Sequence, residues 1–104
     1  MDKYMDFFYM KDLAEFIYTI IKNPQLIYYN DINMSYVNKY KLSEIANIVN
    51  GFDKHKVDII IDTIGNYCNY TGASHRYFET VDKLNISQTG LINGMLETYH
   101  KLCT

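Results

Sequence analysis

Leu13, Phe16, Ile17, Ile20 and Ile21 recur at i, i+3, i+4, i+7 and i+8, the spacing of one face of an α-helix. This stripe constrains the fold more than any other stretch, because a chain of 104 residues must bury it against something. Asp12 stands where an N-cap would, and Glu15 three residues on completes an acidic capping box. Pro24, the only proline, disfavours a helical residue before it, so the helix should end near Asn23. The preceding Asp6-Phe7-Phe8-Tyr9-Met10 reads as a short extended segment feeding that cap.

Downstream, Leu26-Ile27-Tyr28-Tyr29 is ambiguous, whereas Ile32-Asn33-Met34-Ser35-Tyr36 alternates as a half-buried strand does. Leu42, Ile45, Ala46 and Val49 share a helical face, with Asn50-Gly51 as a C-cap pair. Val57 to Ile61 is a β-branched run that reads as a buried strand. Strand, helix, strand in this spacing predicts a parallel βαβ unit with flanking helices, so the expected class is a small α+β domain. Thr71-Gly72-Ala73-Ser74 reads as an exposed loop and His75-Arg76-Tyr77-Phe78 as a short extended piece. A last helix is expected over 89–102, with Leu91, Met95, Tyr99 and Leu102 inward. Gly94 inside it costs about 1 kcal/mol against alanine, which points to a close approach there.

Composition excludes several classes. The length suits one domain, residues 1–104, with no linker or repeat. No apolar run approaches a membrane span, and Met1-Asp2-Lys3-Tyr4 shows no signal-peptide stretch, so a cytoplasmic location is expected. A net charge of −2 offers no basic face for nucleic acid. Cys68 and Cys103 form no CxxC pair, and His55, His75 and His100 lack metal-ligand spacing. The sequons at Asn33, Asn69 and Asn85 are chance matches in an Asn-rich chain. Nine lysines stand against a single arginine, Arg76, which singles that residue out.

No catalytic constellation emerges. Glycines 51, 65, 72, 90 and 94 are scattered, whereas a dinucleotide site needs them clustered where backbone amides can reach a pyrophosphate. The chain alone is therefore expected to bind no NAD. Tyr18-Thr-Ile-Ile-Lys22 matches a Tyr-x-x-x-Lys pattern, but a chain with eleven tyrosines yields such a pair by chance.

Four segments carry a resemblance. Asp6-Phe7-Phe8-Tyr9-Met10-Lys11-Asp12-Leu13 resembles the R-D-F-x-Y-V-x-D-L segment of extended short-chain dehydrogenases, the NAD-dependent sugar-nucleotide epimerases, dehydratases and reductases. Ile32-Asn33-Met34-Ser35 resembles their following strand, and Lys41-Leu42-Ser43-Glu44-Ile45-Ala46 their S-x-x-E-L-A helix start. Thr89-Gly90-Leu91-Ile92-Asn93-Gly94-Met95 resembles their C-terminal helix, and the nearest flavour is the GDP-fucose synthase-like branch. Met5 stands where the family has arginine, while Lys11 and Asn85 replace its usual acidic residue and glycine.

The resemblance implies the C-terminal, substrate-binding part of such an enzyme, whose Rossmann domain and catalytic residues lie upstream in the family. It implies NAD or NADP in the full-length parent and a nucleotide-sugar substrate. Phe8 and Tyr9 would line the substrate pocket and Arg76 would hold the diphosphate. Separation from the large domain would expose the Phe7-Phe8-Tyr9-Met10 stretch, so a two-fold homodimer is expected. The alternative is a stand-alone, non-catalytic interaction module that keeps the shape alone.

Overall fold

The computed structural model describes residues 3–61, 69 and 71–102. Among the described residues, four helices and one antiparallel strand pair make a small α+β unit. In chain order these are β1 (Tyr4–Met5), α1 (Met10–Lys22), a 3₁₀ turn (Pro24–Leu26), β2 (Tyr40–Lys41), α2 (Leu42–Asn50), α3 (His75–Leu84) and α4 (Leu91–Leu102). Tyr4 pairs with Lys41 and Met5 with Tyr40, and the Leu42 N–H donates to the Lys3 carbonyl as the chain enters α2. The core is small: Phe16, Tyr77, Val81 and Ile86 are buried, with Phe8, Ile20, Ile32, Met34, Tyr36 and Leu84 packed around them.

The predicted βαβ unit does not form. The only strand pairing among the described residues is the antiparallel β1–β2 pair. Residues 32–36 do feed the core, through Ile32, Met34 and Tyr36, but they take no ladder partner. Val57–Ile61 is neither a strand nor buried; Ile60 is 91% exposed. The Asn50 side-chain amide occupies both backbone groups of Val57, accepting from its N–H at 3.0 Å and donating to its carbonyl at 2.9 Å. β-branched composition marked this run, but composition supplies no neighbouring strand.

His75-Arg76-Tyr77-Phe78 opens α3 rather than an extended piece. Tyr77, Val81 and Leu84 follow i, i+4, i+7, a helical spacing outweighed in the sequence by the β-forming Tyr-Phe pair. Asn85 closes α3 in the left-handed region at φ 51°. The Ile86 N–H returns to the Val81 carbonyl at 3.0 Å and the Asn85 N–H to Asp82 at 3.4 Å, a Schellman closure sealed by Val81 and Ile86 in the core. Gly51, by contrast, ends α2 at φ −72°, without the left-handed turn expected there.

Helix α1 starts earlier than predicted and is rotated relative to its predicted face. Tyr9 occupies the N-cap position, and Asp12 and Phe16 are the buried residues. The five-residue stripe thus divides. Phe16 and Ile20 join the core, whereas Ile17 and Ile21 are 44% and 70% exposed. Cys68 and Cys103 lie outside the described residues.

Candidate functional site

Two aspartates tie the Asp6–Leu13 segment to the rest of the chain. Asp12 is 1% exposed and caps another helix rather than its own. Its carboxylate accepts the N–H of Thr89 at 2.7 Å and of Gly90 at 2.9 Å, immediately before α4, and the hydroxyl of Tyr36. A carboxylate there satisfies donors that α4 leaves unpaired and complements its dipole. Gly90 makes the turn into α4 at φ 85°, a conformation natural to glycine.

Asp6 holds the other end. It accepts the Gly72 N–H at 2.6 Å, the Ser35 hydroxyl at 3.1 Å and the Lys39 ammonium at 2.7 Å. Burial pushes its carboxyl up, but Lys39, the Gly72 amide and the Ser35 hydroxyl together outweigh burial and hold it below 3.8. Because the folded value lies below the unfolded one, the ionised carboxylate stabilises the fold above the ordinary carboxylate range. That contribution disappears as pH falls through the lowered value. Asp6→Asn should therefore cost about 1 kcal/mol at pH 7 and flatten the acid limb of stability below the ordinary carboxylate range, read by urea titration at each pH.

Tyr9 lies between these anchors. Its ring occupies the space a Cβ on Gly94 would need, with ring carbons 2.4–2.7 Å from that position. The close approach expected at Gly94 is thus to Tyr9, whose hydroxyl donates to Glu97 at 2.7 Å. Phe8 stacks on Tyr36 at 4.3 Å between centroids and meets Tyr77 edge-on at 5.2 Å.

Two depressions flank this junction. An apolar groove of about 450 Å³ runs between the start of α1, the end of α2 and α4, lined by Phe8, Tyr9, Met10, Phe52, Met95 and Tyr99 among others. Tyr99 closes it, its ring 5.6 Å from Phe52 and its hydroxyl donating to Asp53 at 2.8 Å. On the other side, a cleft of about 330 Å³ opens at the N-terminus of α4, lined by Tyr36, Asn38, Tyr77, Gln88, Gly90 and Asn93 among others.

Among the described residues, no charged one lines that cleft. The Tyr77 hydroxyl donates to Gln88 at 2.8 Å. Burial raises the hydroxyl pKa of both Tyr36 and Tyr77, and the carboxylate of Asp12 adds to the rise. Both therefore stay protonated at neutral pH and act as hydrogen-bonding groups rather than proton carriers. Phenols and primary amides around aromatic walls suit a neutral, hydroxyl-rich ligand.

The three residues expected at a substrate site are not brought together. Phe8 and Tyr9 share the apolar groove, with Phe8 also packed on the core. Arg76 lies in a separate hollow with Asp31, Asn33 and His75. Its guanidinium pairs with Asp31 at 2.5 Å and lies over the Tyr29 ring at 4.9 Å, while Glu79 accepts the Tyr29 hydroxyl rather than pairing with the arginine. Sequence reasoning did not single out Tyr36, Gln88 or Asn93; the available signal was that Tyr36 and Gln88 adjoin resembling segments and Asn93 lies inside one. Among the described residues no group of three His, Cys, Asp or Glu side chains could hold a metal, and no helix is long and apolar enough to cross a membrane.

No protein-family model matches the chain, and neither the curated proteins nor the solved structures contain a match to it.

Proposed function

We propose that this chain is the substrate-binding, C-terminal part of an NAD(P)-dependent nucleotide-sugar epimerase, dehydratase or reductase of the extended short-chain dehydrogenase type, nearest the GDP-fucose synthase-like branch. One observation carries the reading. Asp12, from the first resembling segment, binds Thr89 and Gly90, from the last, and the Tyr9 ring fills the space over Gly94. The residues that carry the resemblance are those that meet. Asn85 adds support: it stands where the family has glycine and holds the left-handed φ that glycine ordinarily supplies.

The neutral cleft beside α4 would take the sugar, with Gln88 and Asn93 on its hydroxyls and Tyr36 behind. Phe8 and Tyr9 act through the adjoining groove. Arg76 would reach a diphosphate only on leaving Asp31, and an exposed pair of that kind holds it by about 0–1 kcal/mol. Asn33 covers Gly72 and Tyr9 covers Gly94, so neither offers its backbone to a pyrophosphate. NAD or NADP belongs to the full-length parent in this reading, and a cytoplasmic location goes with it.

The test is a nitrogen-15 NMR titration of the chain with a GDP-linked hexose, a UDP-linked hexose and NAD. One sugar nucleotide should shift the Gln88 and Asn93 signals saturably in the millimolar range, and Asn93→Ala should weaken that binding about 5–10-fold. NAD should give no saturable shift. Micromolar NAD binding, or no response to either sugar nucleotide at 10 mM, would overturn the reading.

A further inference from the structure

Phe7, Phe8 and Tyr9, expected to form a bare apolar patch, are half-buried, and Met10 alone of that stretch stays uncovered. The telling feature of the junction is polar instead. Asp12 is 1% exposed and forms no ion pair among the described residues. Its three partners, Tyr36, Thr89 and Gly90, all line the cleft at the start of α4. A helix N-terminus ordinarily draws an anion, because its first amides are unpaired and its dipole is positive there. Here the anion is already in place, delivered from inside the fold. A whole negative charge set against about half a positive one leaves that wall of the cleft net negative.

We infer that Asp12 sets the charge preference of the cleft, so that the sugar it takes is an uncharged hexose and not a uronic acid. The inference rests on the reading that places a nucleotide-linked sugar there. Asp12 acts through its partners. The groups best suited to a carboxylate, the Thr89 and Gly90 amides and the Tyr36 hydroxyl, all donate to Asp12 and not to a ligand. The Tyr36 oxygen also accepts the Tyr9 N–H at 3.4 Å. What remains on the walls is Asn38, Gln88 and Asn93, whose amides both donate and accept and so match sugar hydroxyls.

Other charges nearby do not offset Asp12. Asp6 and Lys39, which both bond Ser35 at the cleft wall, pair with each other at 2.7 Å and cancel. Lys11 and Glu15 share a separate hollow beside Asp12 and carry opposite signs. Arg76 pairs with Asp31 in its own hollow. That hollow and the cleft are built from successive residues of the same two segments, Asn33 then Ser35 and Arg76 then Tyr77. The anionic diphosphate belongs at the arginine end, which turns the sugar toward α4 and Asp12.

NMR titration of the Gln88 and Asn93 signals with UDP-glucose, UDP-glucuronate, GDP-mannose and GDP-mannuronate tests it. Within each pair only a hydroxymethyl group and a carboxylate differ. For the nucleotide that binds, the uronate should bind about 10-fold more weakly than the hexose, or worse. Asp12→Asn should bring the two within about 3-fold, because loss of the charge favours the uronate whereas a structural loss weakens both alike. Asn93→Lys, at an exposed position on the cleft wall, should turn the preference toward the uronate without touching Asp12. A uronate that binds the unaltered chain as well as its hexose would overturn the inference and leave the sugar reading intact. Unchanged discrimination in folded Asp12→Asn would equally overturn it. If Asp12→Asn does not fold, Asn93→Lys decides, and a preference that stays with the hexose overturns the inference. No response to either hexose would overturn the sugar reading and this inference with it.

Discussion

Asp12→Ala is expected to lower folding stability by about 3–5 kcal/mol. The carboxylate is 1% exposed and takes three donors, from Thr89, Gly90 and Tyr36. Alanine removes all three partners at once and adds none. The Thr89 and Gly90 amides precede α4, so no turn of that helix can take them over. Each buried donor left unpaired costs about 1–3 kcal/mol, and the cavity adds to that. A domain of this size has only about 5–15 kcal/mol in total. Urea unfolding followed by far-UV circular dichroism measures the loss. Asp12→Asn, which keeps one acceptor oxygen, should lose about half as much. If alanine cost under 1 kcal/mol, Asp12 would not join α1 to α4.

Gly94→Ala should destabilise by about 1–3 kcal/mol, although the same change in an exposed helix stabilises by about 1 kcal/mol. The reason is steric. An added Cβ would lie 2.4 Å from a ring carbon of Tyr9, and that ring is pinned by its hydroxyl bond to Glu97 and cannot step aside. The sign is the diagnostic part. In a Tyr9→Ala background the obstruction is gone, and Gly94→Ala should then stabilise by helix propensity alone. Thermal unfolding of the four proteins in that cycle measures a coupling of about 2 kcal/mol or more. Zero coupling would mean that Tyr9 and Gly94 do not touch.

What the sequence made legible follows from which signals are local. The existence of α1, α2 and α4 and the close approach at Gly94 are readable, because helical periodicity and a glycine inside it need no knowledge of neighbours. The phase of α1 was not. Asp12 looks like a local cap because aspartate at a helix start ordinarily is one. Its partners, Thr89 and Gly90, lie 77 and 78 residues away, and nothing in the local pattern announces them. Turning Asp12 inward carries Ile17 and Ile21 outward, so one misread polar residue moves two of the five stripe residues to the surface. The strand at 57–61 failed for a related reason, since β-branched residues mark a preference while pairing needs a partner. Helix α3 was hidden by its Tyr77-Phe78 start, and its buried face shows only when Val81 and Leu84 are counted with Tyr77. The neutral cleft was out of reach altogether, being assembled from Tyr36, Gln88 and Asn93 across more than 50 residues.

The functional reading stands on the junction between the Asp6–Leu13 and Thr89–Met95 segments, and amide hydrogen exchange at Thr89 and Gly90 tests that junction. Neither amide lies within a helix, and the Asp12 carboxylate is the partner of each. Both should exchange only when the domain opens, with a protection free energy close to that of the Phe16 and Tyr77 amides in the core. In Asp12→Ala they should exchange ahead of the core amides. Exchange at the rate of an exposed loop in the unaltered chain would contradict the junction, and with it the observation on which the proposed function rests.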